Sequence, residues 1–250
     1  MNRIFLLGGC DLEMKTIREL LQSHNVRFVD KNLTWDTALL SAYDDELKLY
    51  ANDDLQIVGV ELREDVCKPS NYVLIDHHNS LSSSMSSLEQ VAFMLGVNLT
   101  RWQQLVAVND RQYIGGLEKY GASEEEIIKV RQADRAAQGV SFQDELWAEE
   151  SIKHARRMAS VLVVKTRCSH FSPITDRLYP FDQLLIYSDD TMVYYGSGCK
   201  QLVRHYQKQI VEETVFYGGG ENGFVGFNRG SLSKTEIENQ IEVIIKIVGK

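Results

Sequence analysis

Three observations predict an α/β protein: a doubly wound parallel sheet followed by a smaller α/β domain, with a helical linker between them. Short apolar runs alternate with helix-length amphipathic segments through the first half of the chain. Residues 123–158 are polar, with apolar side chains only at helical spacing. Beyond Ala159 the strand-like runs return. Alternation of the first kind builds a parallel sheet covered by helices on both faces. The expected boundaries are 1–120 for the first domain, 121–158 for the linker and 159–250 for the second domain.

The elements follow in order. Residues 3–7 are an apolar strand closed by Gly8-Gly9, and Asp11 stands where a helix to Leu21 needs an N-cap. Residues 26–29 read as a second strand, 37–50 as a helix, and 56–60 and 72–75 as strands. Helices are expected over 86–95 and 101–108. Two more, interrupted at Gly139, make the linker. In the second domain, strands fall at 161–166, 183–188, 192–195 and 214–217, and Asp189-Asp190 reads as a hairpin turn. Helices over 200–211 and 234–248 complete the chain.

The 250 residues suffice for a large core, and 44% hydrophobic with 25% charged content is ordinary for a globular chain. A net charge of −8 excludes a surface that attracts nucleic acid as a whole. The basic cluster Lys200, Arg204, His205 and Lys208 recurs at helical spacing and reads as a solvated helix face. The four cysteines, Cys10, Cys67, Cys168 and Cys199, lack CxxC spacing, which argues against a thiolate zinc site and fits reduced thiols. Leu7-Gly8-Gly9-Cys10 mimics a lipoprotein cleavage site, but the apolar stretch before it is too short for a signal core. The expectation is a cytoplasmic protein with no membrane segment.

Chemistry concentrates at strand ends. The apolar run Val73-Leu74-Ile75 is cut off by Asp76-His77-His78. In open parallel sheets, ligands bind outside the carboxyl ends of the strands. Acids fall at corresponding places elsewhere: Asp11 and Glu13 after the first strand, Glu61 after the 56–60 strand, and Asp110 after Asn109 at a helix end. Oxygen and imidazole donors without thiolates suit Mn²⁺ or Mg²⁺, one or two ions. Taken singly, each has a plainer reading: Asp11 as a helix cap, Glu61 and Asp110 as solvated acids.

The triplet Asp76-His77-His78, the D-x-E pair Asp11 and Glu13, Glu61, Asn109-Asp110 and the helix SSLEQVAFMLG together resemble the DHH phosphoesterase family. GGGENGFVG, from Gly218 to Gly226, is similar to the glycine signature of its associated substrate-binding domain, usually GGGHxxAAG. The resemblance implies a metal-dependent hydrolase of a phosphodiester or phosphoanhydride. Its substrate would be a small nucleotide, a short single-stranded oligonucleotide or a pyrophosphate-like molecule. It implies metal ligation by Glu13, Glu61, His77 and Asp110, with Asp11 completing a second site. Asp76 would orient His77, and His78 would stabilise or protonate the leaving oxygen. Gly218, Gly219, Gly220, Glu221 and Asn222 would hold the substrate in a cleft between the domains. A homodimer is compatible with this reading.

The chain departs from the pattern. The family's first motif, a histidine ahead of an Asp-x-Asp pair, lacks its histidine here, with Leu7 or Gly9 in its place and Cys10 the nearest donor; two of the family's aspartates are replaced by Glu13 and Glu61. Glu221 replaces the signature histidine, Phe224-Val225 replaces its alanines, and Tyr194-Tyr195-Gly196-Ser197 stands where an arginine is usual. A carboxylate about 4 Å from a substrate anion repels it by roughly 4 kcal/mol at an effective dielectric near 20. The alternative is therefore a degenerate DHH-type protein that binds a nucleotide or partner without hydrolysis. A dehydrogenase-like dinucleotide fold has less support, because Gly8-Gly9 lacks the further spaced glycines and Asp30 is the only candidate acid.

Overall fold

The computed structural model describes residues 2–34, 37–51, 54–78, 85–218 and 223–249. Gly219, Gly220, Glu221 and Asn222 lie outside the described residues, so of the expected substrate loop only Gly218 is described. The chain divides into two compact units, Met1–Gly139 and Val140–Lys250.

The first unit is built on a four-stranded sheet in the order β2-β1-β3-β4: β1 (Asn2–Leu7), β2 (Arg27–Asp30), β3 (Leu55–Val60) and β4 (Tyr72–Ile75). Every pairing is parallel. The order reverses at β1, which creates a switch point between β1 and β3. The helices α1 (Leu12–Ser23), α3 (Ser87–Leu95), α4 (Arg101–Lys119) and α5 (Glu124–Ala137) line one face, where Phe5, Leu7, Val58 and Val60 pack on Ile17, Leu21, Val91 and Val106. A 3-10 turn at Leu40–Tyr43 and α2 (Asp44–Tyr50) cover the other, over Ile4, Leu6 and Ile57. Alternate residues of β1 therefore serve two cores, which is why Ile4, Phe5, Leu6 and Leu7 are all apolar.

Register aligns the strand ends. Leu7 pairs with Val60 and Val60 with Ile75, so three strands end on one line. The ladder runs one step further through Gly8 N–H to Val60 O at 2.9 Å and Glu61 N–H to Ile75 O at 2.8 Å. Gly8 is required there, because a Cβ would lie 2.5 Å from the Glu61 carbonyl oxygen. The chain segments leaving β1, β3 and β4 consequently emerge side by side.

The division at Gly139 falls inside the segment expected to be a linker. Its first helix, α5, lies on α1 and α4 with Val130 fully buried, so it belongs to the first unit; the second, α6 (Phe142–Lys153), packs on the sheet of the second unit through Ala148. Capping boxes at Ser123 and Ser141 start these two helices.

The second unit holds a six-stranded sheet ordered β5-β6-β7-β8-β10-β9: β5 (Arg156–Met158), β6 (Val161–Lys165), β7 (Gln183–Tyr187), β8 (Met192–Gly196), β9 (Val215–Gly218) and β10 (Phe224–Phe227). Only β6 and β7 pair in parallel. α6 and α7 (Ser172–Leu178) pack on one face; α8 (Cys199–His205), α9 (Gln207–Val211) and α10 (Lys234–Val248) lie towards the other, where Leu202, Ile237, Ile241 and Ile244 join its core. Three elements here escape sequence periodicity. β5 is three residues long, α7 carries a proline at its start, and β10 lies within the glycine signature.

Candidate metal centre

Each candidate side chain reaches one place for a local reason. Asp11 caps α1, its carboxylate accepting the Met14 N–H at 2.9 Å, and this turn aims the next acid, Glu13, back over the sheet edge. Glu61 follows β3 directly and adopts φ 53°, a left-handed conformation that costs a non-glycine residue roughly 1–2 kcal/mol. His77 is the second residue after β4. Asp110 lies in α4, three residues before a break at Tyr113 (φ 56°, ψ −155°).

These four meet. The Nε2 of His77 lies 2.7 Å from Asp110 Oδ2, 3.3 Å from Glu13 Oε2 and 3.4 Å from Glu61 Oε1. His77 is 7% exposed, Glu13 2% and Glu61 6%, so bulk water screens none of them well. Glu13 is held by its other oxygen, which accepts the Leu88 N–H at 2.9 Å at the start of α3. The four converging atoms, Glu13 Oε2, Glu61 Oε1, His77 Nε2 and Asp110 Oδ2, are all buried without a hydrogen-bond partner of proper geometry. One ring N–H can point at one oxygen, not at three. Buried polar atoms are normally partnered, and a cation at their common focus satisfies all four together.

The electrostatics state the same demand. Burial pushes Glu61 well above the carboxylate range, with Glu13, Asp11 and Asp110 adding to it. Asp110 rises well above its usual value through burial and the charge of Glu13. Burial opposes a charge on His77, yet the close carboxylates of Asp110, Glu13 and Glu61 raise it to about 12. Burial works against a charge on Glu13 as well, but His77, Ser86 and the Leu88 N–H together draw it below its usual range. In the metal-free protein the protonated imidazole supplies the compensating positive charge.

His78 brings a ring nitrogen to within 4.8 Å of ligand atoms from both Glu61 and His77, making a second cluster beside that of Glu13, His77 and Asp110. The two imidazoles lie 4.4 Å apart between centroids. The triplet leads one to expect Asp76 to orient His77; its Oδ1 accepts the His78 N–H at 2.8 Å and lies 2.8 Å from His78 Nδ1. An aspartate bonds most readily to backbone two residues on, which turns it to His78. Asp11 joins neither cluster of the described residues, and Cys10, its thiol pushed up by burial and by Asp11, joins neither as well. Arg131 and Asp134, buried beside Asn109, are not among the residues singled out by the sequence motifs. The available signal is a charged pair on the apolar stripe of α5, at the fourth and seventh residues after Ile127.

No protein-family model and no curated protein matches the sequence. Solved structures do. The DHH domain of a member of a ribosomal-protein family aligns with TM-score 0.51 at 12% identity, over 98% of this chain and 87% of its own. The chain has the DHH fold. Further matches are a pGpG-specific phosphodiesterase from Vibrio cholerae (TM-score 0.49, 12% identity, 98% of both chains) and RecJ in complex with Mg²⁺ from Thermus thermophilus (TM-score 0.44, 10% identity, 98% of this chain and 49% of that one). Within the DHH fold, the converging side chains stand beyond the carboxyl ends of the parallel strands, at the switch point where such sheets take ligands. Among the described residues, no helix is long and apolar enough to cross a membrane.

Proposed function

We propose that the first unit is a divalent-cation-dependent phosphoesterase centre, acting on a phosphodiester or phosphoanhydride in a small nucleotide or short oligonucleotide. The observation that carries this reading is the focus of four unpartnered donor atoms from Glu13, Glu61, His77 and Asp110. These residues would hold the ion; Mn²⁺ and Mg²⁺ both suit a set of three carboxylates and one imidazole. A bound divalent cation supplies Lewis acidity, which lowers the pKa of water and neutralises charge on a phosphoryl group. His77 must then give up its proton, because ligation uses the neutral ring. His78, held by Asp76, would pass a proton to the departing oxygen when one ion is present. With two ions the same ring would serve as a ligand beside Glu61.

The second unit, taken by itself, carries a row of rings on which a nucleotide base could stack, half-buried at Phe181, Tyr195 and Phe224 and exposed at Phe216. Phe181, Tyr195, Phe224 and Phe216 follow one another at centroid separations of 6.3, 6.4 and 6.1 Å, ending on β9. Bases stack on such faces regardless of sequence. The assay is turnover of 5′-phosphorylated dinucleotides, longer oligonucleotides and pyrophosphate with Mn²⁺ or Mg²⁺. Binding of metal with no turnover of any of them refutes hydrolysis.

The second reading, binding without hydrolysis, is favoured by one observation. Asp11 lies outside both clusters among the described residues, so the first motif contributes little to a second ion. Nucleotide binding that persists in EDTA, without products, supports it.

A further inference from the structure

We infer that Arg131 is a positioning residue of the metal centre: its guanidinium locks Asn109 and the broken turn of α4, and so fixes where Asp110 points. The inference rests on the metal-centre reading above.

Arg131 comes from α5, on an otherwise apolar stripe, and is 6% exposed. One guanidinium nitrogen donates to Asn109 Oδ1 at 3.0 Å and to Asp134 Oδ2 at 2.7 Å. Gln138 donates to the same Asp134 oxygen at 3.1 Å. The guanidinium carbon stands 4.5 Å from the centroid of the Tyr113 ring. Asn109 and Asp134, at 6% and 7% exposure, are buried with it. A single side chain therefore touches the residue before Asp110 and the residue at which α4 leaves helical geometry.

The break needs such a hold. Tyrosine at φ 56° and ψ −155° is strained in the middle of a helix. Gly116 permits it, since a Cβ there would lie 2.2 Å from the Gln112 Cβ. Nothing in the local sequence compels it. Packing of the Tyr113 ring under the guanidinium keeps the break open, while the bond to Asn109 pins the turn before it. Asp110, between these two anchors, points its Oδ2 at His77 Nε2. Arg131 and Asp134 form a neutral pair, so the network fixes geometry without adding net charge. Lysine would supply the charge but neither the fork nor the flat face.

The test uses the full chain and metal alone. Arg131→Lys and Arg131→Gln are titrated with Mn²⁺ by calorimetry and with Co²⁺ by visible absorption, folding being verified by circular dichroism. Residues that orient ligands typically change metal affinity by about 10–100-fold. Both variants are expected to lose that much Mn²⁺ affinity and to shift the Co²⁺ bands. Asn109→Ala removes the acceptor while leaving the Arg131–Asp134 pair, and is expected to do the same; it decides the matter if neither arginine variant folds. A folded variant with native affinity and native bands overturns the role, as does Arg131→Lys behaving as wild type while Arg131→Gln fails. Wild type that binds neither ion overturns the metal centre itself, a result distinct from the others.

Discussion

Removing the metal should invert the usual pH dependence of stability between pH 5 and 8. Burial raises Asp11 to about 6 from 3.8, and Glu61 and Asp110 lie well above their ordinary values; His77 rises from 6.5 to about 12. Each group binds its proton more tightly folded than unfolded. Stability therefore falls as pH rises through the window between unfolded and folded values. For Asp11 alone, a shift from 3.8 to about 6 makes folding roughly 1.3 kcal/mol less favourable at pH 7 than at pH 5. At about 2–4 °C per kcal/mol for a chain of this size, that is a Tm lower by roughly 3–5 °C, with the other three groups adding in the same direction. Groups lowered in the fold, such as Glu13 and Asp76, act below about pH 4.5 and leave this window clean. The assay is thermal unfolding of EDTA-treated protein at several pH values, repeated with Mn²⁺. Metal should restore stability most at high pH, where the ligands are already deprotonated. A metal-free Tm that is flat or rising from pH 5 to 8 would refute the assignment of Glu61, His77 and Asp110 to a cation site.

Four further outcomes follow from single residues. Glu61→Gly should stabilise the metal-free protein by about 1 kcal/mol through relief of its left-handed backbone, while weakening Mn²⁺ binding; unfolding and calorimetry read the two effects. Gly8→Ala should destabilise by about 1–3 kcal/mol in urea, because its Cβ meets the Glu61 carbonyl. Replacing Ser86 by alanine should remove the capping box of α3 at a cost of about 1 kcal/mol, read by the same urea unfolding. Phe216→Leu should weaken dinucleotide binding and leave pyrophosphate binding, where present, unchanged, as calorimetry with both ligands would show.

Much of the first unit was legible residue by residue. β4 falls where its pattern places it, as does α10 in the second unit, and Asp76, Glu61 and Glu13 mark the strand ends and the first helix turn. The 101–108 helix continues to Lys119, since the irregular Tyr113 and paired glycines interrupt the helical pattern but not the chain's course. The helix read over 200–211 breaks at Tyr206, whose ring turns into the core against Phe227.

Features that depend on a few neighbouring residues could be read from the chain alone: the apolar period of each strand, the serine and aspartate caps, and the ionisable triplet Asp76-His77-His78. Which atoms meet is a matter of packing. Parallel register brings Leu7, Val60 and Ile75 onto one line, and only then do Glu13, Glu61, His77 and Asp110 share a focus. The same packing brings a buried Arg131 to the neighbour of a ligand. Periodicity and capping are short-range, whereas burial of charge and convergence of ligands depend on contacts between segments up to 97 positions apart, Glu13 to Asp110.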